Sequence, residues 1–451
     1  MRRLLIGVAL LCLSGCSVVD YFSRQVIARA GDHVLTAEWF AETMADGTLQ
    51  IHPPLLERWA WLWVQYSLFL QRLADGDSMT DSLTVLEAMW PEVLTAKVAR
   101  LNEQLINENV HVDATTIDSV YAAGDYRIVD HILIRTGTSL SASQLEQQRR
   151  KAQGIRSRLA SGAQWLVEVQ RTEDIETASR QGRLGVIERG QMLPEFEQAA
   201  YDLEPGGLSD VVETYYGFHI LRRPTLDEVR EEFTDEITNI LADRWMDQML
   251  QDLAVRRNVR LKADAADIIR DASARPLRVL ALEPGRVIGE FDGGQLTDVG
   301  FVRWLQVLSR EEHLSVDGST EEELEEMGRR MISNELLVLE VNERSIPLTE
   351  REFSDFKMMY ESSLRNLRNA LGVDSLLARA STQEERDQVA LEALERYMVR
   401  TSQSQRGIAI VPPLLATKLR SEENWSFFYG GLNRAVRLAL ELREARDSTM
   451  Q

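Results

Sequence analysis

The chain has 451 residues, a formal net charge of −20 and 44% hydrophobic residues. That length suggests about three domains, and the apolar fraction is enough for packed cores and excludes wholesale disorder. The acidic balance argues against nucleic acid as a partner, because phosphates call for clustered Lys and Arg; otherwise it reports a solvated surface.

The first residues read as a targeting segment. Arg2 and Arg3 precede an apolar run from Leu4 to Leu13, too short to span a bilayer as a helix. A leader is expected over 1–15. Leu13-Ser14-Gly15-Cys16 follows and resembles the bacterial lipobox, in which cleavage before the Cys leaves it carrying lipid. An ordinary secretory leader with an incidental Cys is the alternative. Once Cys12 leaves with the leader, only Cys16 remains, so no intrachain disulfide forms. A lipid anchor at Cys16 would attach the chain stably to a membrane. Ser17, standing where Asp would retain the protein, resembles the outer-membrane sorting pattern of bacteria with two membranes. No later segment reaches the run of about 18 apolar residues that a membrane helix needs.

Four pieces follow. The first, 16–124, reads as a hairpin around Gly31-Asp32-His33 and then helices. Leu55 to Leu73 is apolar on several faces, with Trp59, Trp61, Trp63, Tyr66, Leu68, Phe69 and Leu70. Such a helix is buried on several sides, as core or as the wall of a groove for unfolded chains. Thr80-Asp81 opens another helical run carrying Leu94, Val98, Leu101 and Leu105 at helical spacing. No Gly or Pro marks its end before Gly124.

The second piece, 125–224, alternates apolar and polar residues from Tyr126 to Ile134, as a half-buried strand does. Ser141 to Ser161 reads as an amphipathic helix capped by Ser141 or Ser143. Leu184 to Glu188 is a short strand, and Pro194 is placed to open a helix ending near Asp202. Gly206-Gly207 turns the chain into strands at Leu208–Val212 and Tyr216–Arg222. The third piece, 225–275, is a long returning helix, expected from Leu226 to Val255. Val229, Phe233, Ile237, Leu241, Trp245, Met249 and Leu253 form its stripe, and it would be roughly 45 Å long.

The last piece, 276–451, is mainly helical and shows a weak repeat of the first. Val26-Ile27 stands ten residues before Thr36, and Val287-Ile288 ten before Thr297. Leu35 and Phe40 match Leu296 and Phe301 in that register. Thr320 with Glu323 forms a capping box, Leu348-Thr349-Glu350 echoes Met79-Thr80-Asp81, and Pro412-Pro413 separates helices at Gln383–Val399 and Asn433–Arg446.

The motifs of the second piece carry the functional signal. They are Asp130-His131-Ile132-Leu133-Ile134, then Arg189-Gly190-Gln191-Met192-Leu193-Pro194-Glu195-Phe196, then Glu204-Pro205-Gly206-Gly207, then Tyr216-Gly217-Phe218-His219-Ile220-Leu221. In order and spacing they resemble the parvulin family of peptidyl-prolyl isomerases. The resemblance implies an α+β fold: a small antiparallel-sheet domain (β-α-β-α-β-β) flanked by mainly helical chaperone-like domains. The order of modules is similar to that of SurA-type chaperones and PrsA-type foldases.

On the family's pattern, Leu184, Gln191, Met192 and Phe196 bind the substrate, and the ring of its proline is gripped by Leu184, Met192 and Phe196. An aromatic wall, a pliable thioether and an aliphatic base suit that task, although each residue alone would pass for core. His131 and His219 would pair on the central strands beneath the pocket and set its shape and tautomers; a lone buried His is otherwise ordinary core. Asp174, with Glu173 as the alternative, would stand beside the isomerising amide. Arg183 occupies a position where family members often carry Asp, which bears on activity.

The resemblance implies a reaction without nucleophile, metal or cofactor, and two lone His with no ligand cluster read poorly as a metal site. No phosphate loop, nucleophile elbow or zincin motif is found. The expected protein is a lipid-anchored extracytoplasmic foldase, on the periplasmic face of the outer membrane if there are two membranes. Its partners would be unfolded or partly folded clients with X-Pro bonds. The alternative is a non-catalytic periplasmic chaperone or envelope assembly lipoprotein that uses the domain as a scaffold.

Overall fold

The computed structural model describes residues 25–137, 140–279, 285–305, 316, 318–404 and 408–449. The expected leader and Cys16 lie outside them. The chain divides into two compact units, one of Asn102–Asp252 and one of the residues up to Leu101 together with those from Leu253 onward.

β1 (Val26–Ala30) and β2 (His33–Thr36) form an antiparallel hairpin. Its turn places Gly31 at φ +55°, a left-handed conformation that favours glycine. Thr36 Oγ1 accepts from Trp39 N–H and opens α1 (Ala37–Asp46). α2 (Pro53–Ala74) begins on proline, which loses nothing at a first turn. Its aromatic run is core: Trp59, Trp61, Trp63, Tyr66 and Phe69 are all buried, and Trp61 stacks on Phe427 with centroids 4.8 Å apart. α3 (Ser82–Ala88) is capped by Asp81, and α4 (Trp90–Asn109) follows. Neither Gly nor Pro ends α4. Asp113 restarts the chain instead, accepting from Thr116 N–H to open α5 (Ala114–Ala123), which closes on Gly124 at φ +76°.

The middle unit then runs β3 (Arg127–Arg135), α6 (Ala142–Ala160), β4 (Arg183–Ile187), α7 (Pro194–Tyr201), β5 (Val212–Thr214) and β6 (Gly217–Arg222), with one-turn helices between α6 and β4. This is the expected β-α-β-α-β-β order. The sheet is antiparallel with strand order β4-β3-β6-β5. α6 covers Ile132, Ile134, Phe218 and Ile220 on one face. Phe196 and Ala200 of α7 cover Val129, Ile187 and Leu221 on the other. The strand expected at Leu208–Val212 is shorter and later. Leu208 makes only an isolated bridge to Arg222, because Ser209 Oγ takes the Leu221 N–H at 2.8 Å.

α8 (Leu226–Arg256) packs Val229, Phe233 and Ile237 on Tyr121, Tyr126 and Ile128. α5 therefore shares a core with this unit, although the sequence grouped it with the first piece. The long helix expected from Leu226 to Val255 is present, and the rest of the third piece, to 275, leaves it. Asn258 adopts φ +52°, a left-handed position that asparagine tolerates. β7 (Arg260–Leu261) and α9 (Ala265–Ala274) follow.

The rest of the larger unit holds β8 (Val287–Phe291), β9 (Gly294–Thr297), α10 (Asp298–Leu305), α11 (Glu321–Glu343), α12 (Glu350–Leu371), α13 (Gln383–Gln403), α14 (Pro413–Glu422), β10 (Trp425–Phe427) and α15 (Tyr429–Thr449). The first and last pieces, read as separate in the sequence, make one body. β10 pairs with β1, Ala28 opposite Phe427, and Phe40, Trp63, Tyr360, Tyr397 and Leu415 share one core. The two hairpins pair alike: Val26 faces Thr36 and Ala28 faces Leu35, while Val287 faces Thr297 and Gly289 faces Leu296, each with a bulge between. No helix among the described residues is long and apolar enough to cross a membrane.

Candidate active site

The register of β3 and β6 builds the site. His131 lies opposite Leu221 and His219 opposite Leu133, so the two imidazoles are diagonal neighbours on one face. Their Nδ1 atoms are 3.3 Å apart. Both side chains are buried, and the ring of Phe196 from α7 stands edge-on to each, 6.1 Å from His131 and 5.2 Å from His219.

The partners fix the protons. Asp174 Oδ2 lies 2.8 Å from His131 Nε2 and also accepts from Thr177 Oγ1 at 2.7 Å. A carboxylate only accepts, so His131 carries its proton on Nε2 and presents a bare Nδ1. His219 then donates from Nδ1, and its bare Nε2 accepts from Thr214 Oγ1 at 2.9 Å. One directed chain results, Thr214 to His219 to His131 to Asp174, with both rings neutral. Burial lowers the pKa of His131 against the pull of Asp174. Burial, joined by repulsion from His131, takes His219 down to about 3. Burial also works to raise Asp174, but hydrogen bonds from Thr177 and His131 outweigh it and hold the carboxyl below its usual value.

Above this pair opens a cavity of about 380 Å³ lined by His131, Leu184, Gln191, Met192, Leu193, Pro194, Phe196, Thr214, Tyr216 and His219. Six of the seven residues named from the sequence thus meet at one hollow. Its walls are apolar, its floor is neutral imidazole, and no Lys, Arg, Asp or Glu lines it. Such a hollow can bind a small apolar ring and present polar but uncharged groups to an amide beside it.

Asp174 stands elsewhere than expected. It lies behind His131, with Oδ1 3.5 Å from Arg135, and is not among the lining residues. Glu173, its alternative, faces Lys151 and the Arg135 N–H. Arg183 also avoids the cavity. Its Nε meets buried Asp130 at 2.5 Å and its NH1 meets Glu232 of α8. Thr177, Thr214, Leu193, Pro194 and Tyr216 also belong to the site, although the sequence assigns them no role in it. Thr214 was accessible in principle, since a hairpin turning at Tyr215-Tyr216 puts it opposite Gly217 and on the face of His219.

The family described as Rotamase, PPIC-type PPIASE domain, matches residues 131–224. Over 179 residues the chain is 37% identical to "Chaperone SurA" of Nitrosococcus oceani, covering 38% of this chain and 41% of that one. It is 37% identical over 101 residues to "Peptidyl-prolyl cis-trans isomerase ssp-1" of Neurospora crassa, covering 21% of this chain and 56% of that one. It is 25% identical over 183 residues to "Foldase protein PrsA" of Staphylococcus aureus, covering 39% and 52%. The chain spans only about half the length of these relatives, or less. Residues 131–224, with their paired histidines and Met192–Phe196 wall, are a PPIC-type peptidyl-prolyl isomerase domain of the parvulin kind.

Proposed function

We propose that the protein is a foldase that isomerises X-Pro bonds in unfolded or partly folded clients outside the cytoplasm. The observation that carries this reading is the apolar hollow over two neutral, hydrogen-bonded imidazoles. An X-Pro bond prefers trans by only about 0.5–1 kcal/mol but isomerises over tens to hundreds of seconds. The barrier, about 18–20 kcal/mol, is the loss of amide resonance. Catalysis therefore needs no covalent step. Leu184, Met192 and Phe196 hold the pyrrolidine ring, and the pocket binds the twisted amide better than either planar form. The directed chain from Thr214 to Asp174 keeps the floor rigid and uncharged; it does not pass a proton to the substrate.

The names of the relatives, a chaperone and a foldase, support client chains as substrates. Leu13-Ser14-Gly15-Cys16 supports attachment through a lipid on Cys16, and Ser17 supports the periplasmic face of the outer membrane in a two-membrane bacterium.

The test is refolding of a client whose slow phase is set by a non-native proline isomer. The full chain at catalytic amounts should abolish that phase, and Met192→Ala and His131→Ala should restore most of it. A slow phase untouched by the full chain, with aggregation still suppressed, would reduce the domain to a scaffold. Metabolic labelling with a fatty acid that fails to mark Cys16 would remove the anchor.

A further inference from the structure

The motifs of the site do not explain Arg183, or why β4 is gripped so closely by the helix that follows the domain. β4 is the edge of its sheet, so N–H groups on its outer side need partners from elsewhere. α8 supplies one. Glu236 Oε2 accepts the Val186 N–H at 2.6 Å. One turn earlier, Glu232 takes Arg183 NH1, while Arg183 Nε holds Asp130 on β3 at 2.5 Å. Further along α8, Arg244 pairs with Glu188, whose N–H binds Gln191 Oε1 at 3.0 Å.

These anchors bracket the cavity wall. Leu184 lies between Arg183 and Val186, and Gln191 hangs from Glu188. The backbone there is unusual: Gln181, Gly182 and Gly185 have φ of +59°, +83° and +93°. Glycine adopts such conformations freely and fixes none of them, so contacts from outside the segment must hold its shape. Gly185 also lies against Glu236, since an added Cβ would stand 3.1 Å from Oε2.

We infer that α8 is a splint for the active-site wall, in which Glu232, Glu236 and Arg244 are positioning residues that set Leu184 and Gln191 against the substrate ring. None of the three lines the cavity. The inference deepens the isomerase reading and rests on it for its effect on substrate. It also assigns the departure at Arg183 a purpose: the cation couples the wall strand to the helix.

The experiment uses the full chain carrying Glu236→Ala, Glu232→Ala or both, with exposed Asp235→Ala on the same helix as control. Amide exchange at Val186 should rise about tenfold or more in Glu236→Ala, as expected for loss of a hydrogen bond to a charged group. For a prolyl peptide, KM should rise several-fold in the double variant with kcat little changed, the signature of lost ring binding. Glu232→Gln, which keeps an acceptor for Arg183, should recover most of the Glu232→Ala defect, and Asp235→Ala should match wild type. Unchanged Val186 exchange, or a raised exchange with unchanged KM, would overturn the splint. An inactive wild-type chain would instead end the isomerase reading, and exchange at Val186 would still decide whether α8 holds the wall.

Discussion

Removing the imidazole of His219 should flatten the acid sensitivity of the middle unit. Burial, helped by repulsion from His131, lowers the pKa of His219 from 6.5 to about 3. Above pH 6.5 the ring is neutral both folded and unfolded, and the shift has no effect on stability. As pH falls below 6.5 the unfolded chain takes up a proton that the native ring refuses, so stability is lost progressively until pH reaches the folded value near 3. At pH 5 the unfolded ring lies about 1.5 units below its own pKa, which costs about 2 kcal/mol relative to pH 7. His131 is lowered as well and adds to the loss. The assay is native-state hydrogen exchange of the Ile132 and Ile220 amides in the full chain at pH 7 and pH 5, corrected for intrinsic rates. Wild type should lose about 2 kcal/mol or more of protection between the two, and His219→Gln should lose distinctly less. Equal pH slopes in the two proteins, or a His219 ring titrating near 6.5 by NMR, would refute the reasoning.

Three other outcomes follow from the same contacts. Peptide isomerisation should change less than about twofold between pH 7 and 8, because burial lowers both imidazoles away from that range; a bell-shaped profile centred there would contradict the assigned protonation. Asp174→Ala leaves the buried His131 Nε2–H with Thr177 alone and should destabilise the unit by about 1–3 kcal/mol, read by the same exchange experiment, while nitrogen shifts of the wild-type rings should show protons on His131 Nε2 and His219 Nδ1. Trp61→Ala should cost the larger unit about 3–5 kcal/mol, measured by thermal unfolding, without altering isomerisation of a short prolyl peptide.

Much of the middle unit could be read from the chain because its signals are local. Pro194 opens α7 and Ser141 caps α6 with a capping box, and the motif order carries the strand order. His131 and His219 could be paired only through the family pattern, since their contact spans the sheet. Asp174 illustrates the limit. Its place in the chain fell next to the site, but whether it faced the amide or stood behind His131 depends on how the loop from Thr172 to Arg180 folds back onto β3. The union of the first and last pieces was hidden for a similar reason. β10 is only three residues long and pairs with a strand near the other end of the chain, so no periodicity announces it. Arg183 departs from the family's pattern, and no motif reveals its partners, because Asp130 and Glu232 lie far from it in the chain.

The most direct test of the central claim is exchange spectroscopy on a short Xaa-Pro peptide in the presence of the full chain. Cis–trans cross-peaks should appear at substoichiometric protein, on a timescale far shorter than the uncatalysed tens of seconds, and should vanish in Met192→Ala combined with Phe196→Ala while His131 and His219 remain paired. Unchanged peptide spectra with the wild-type chain, folded and with the pocket intact, would contradict it.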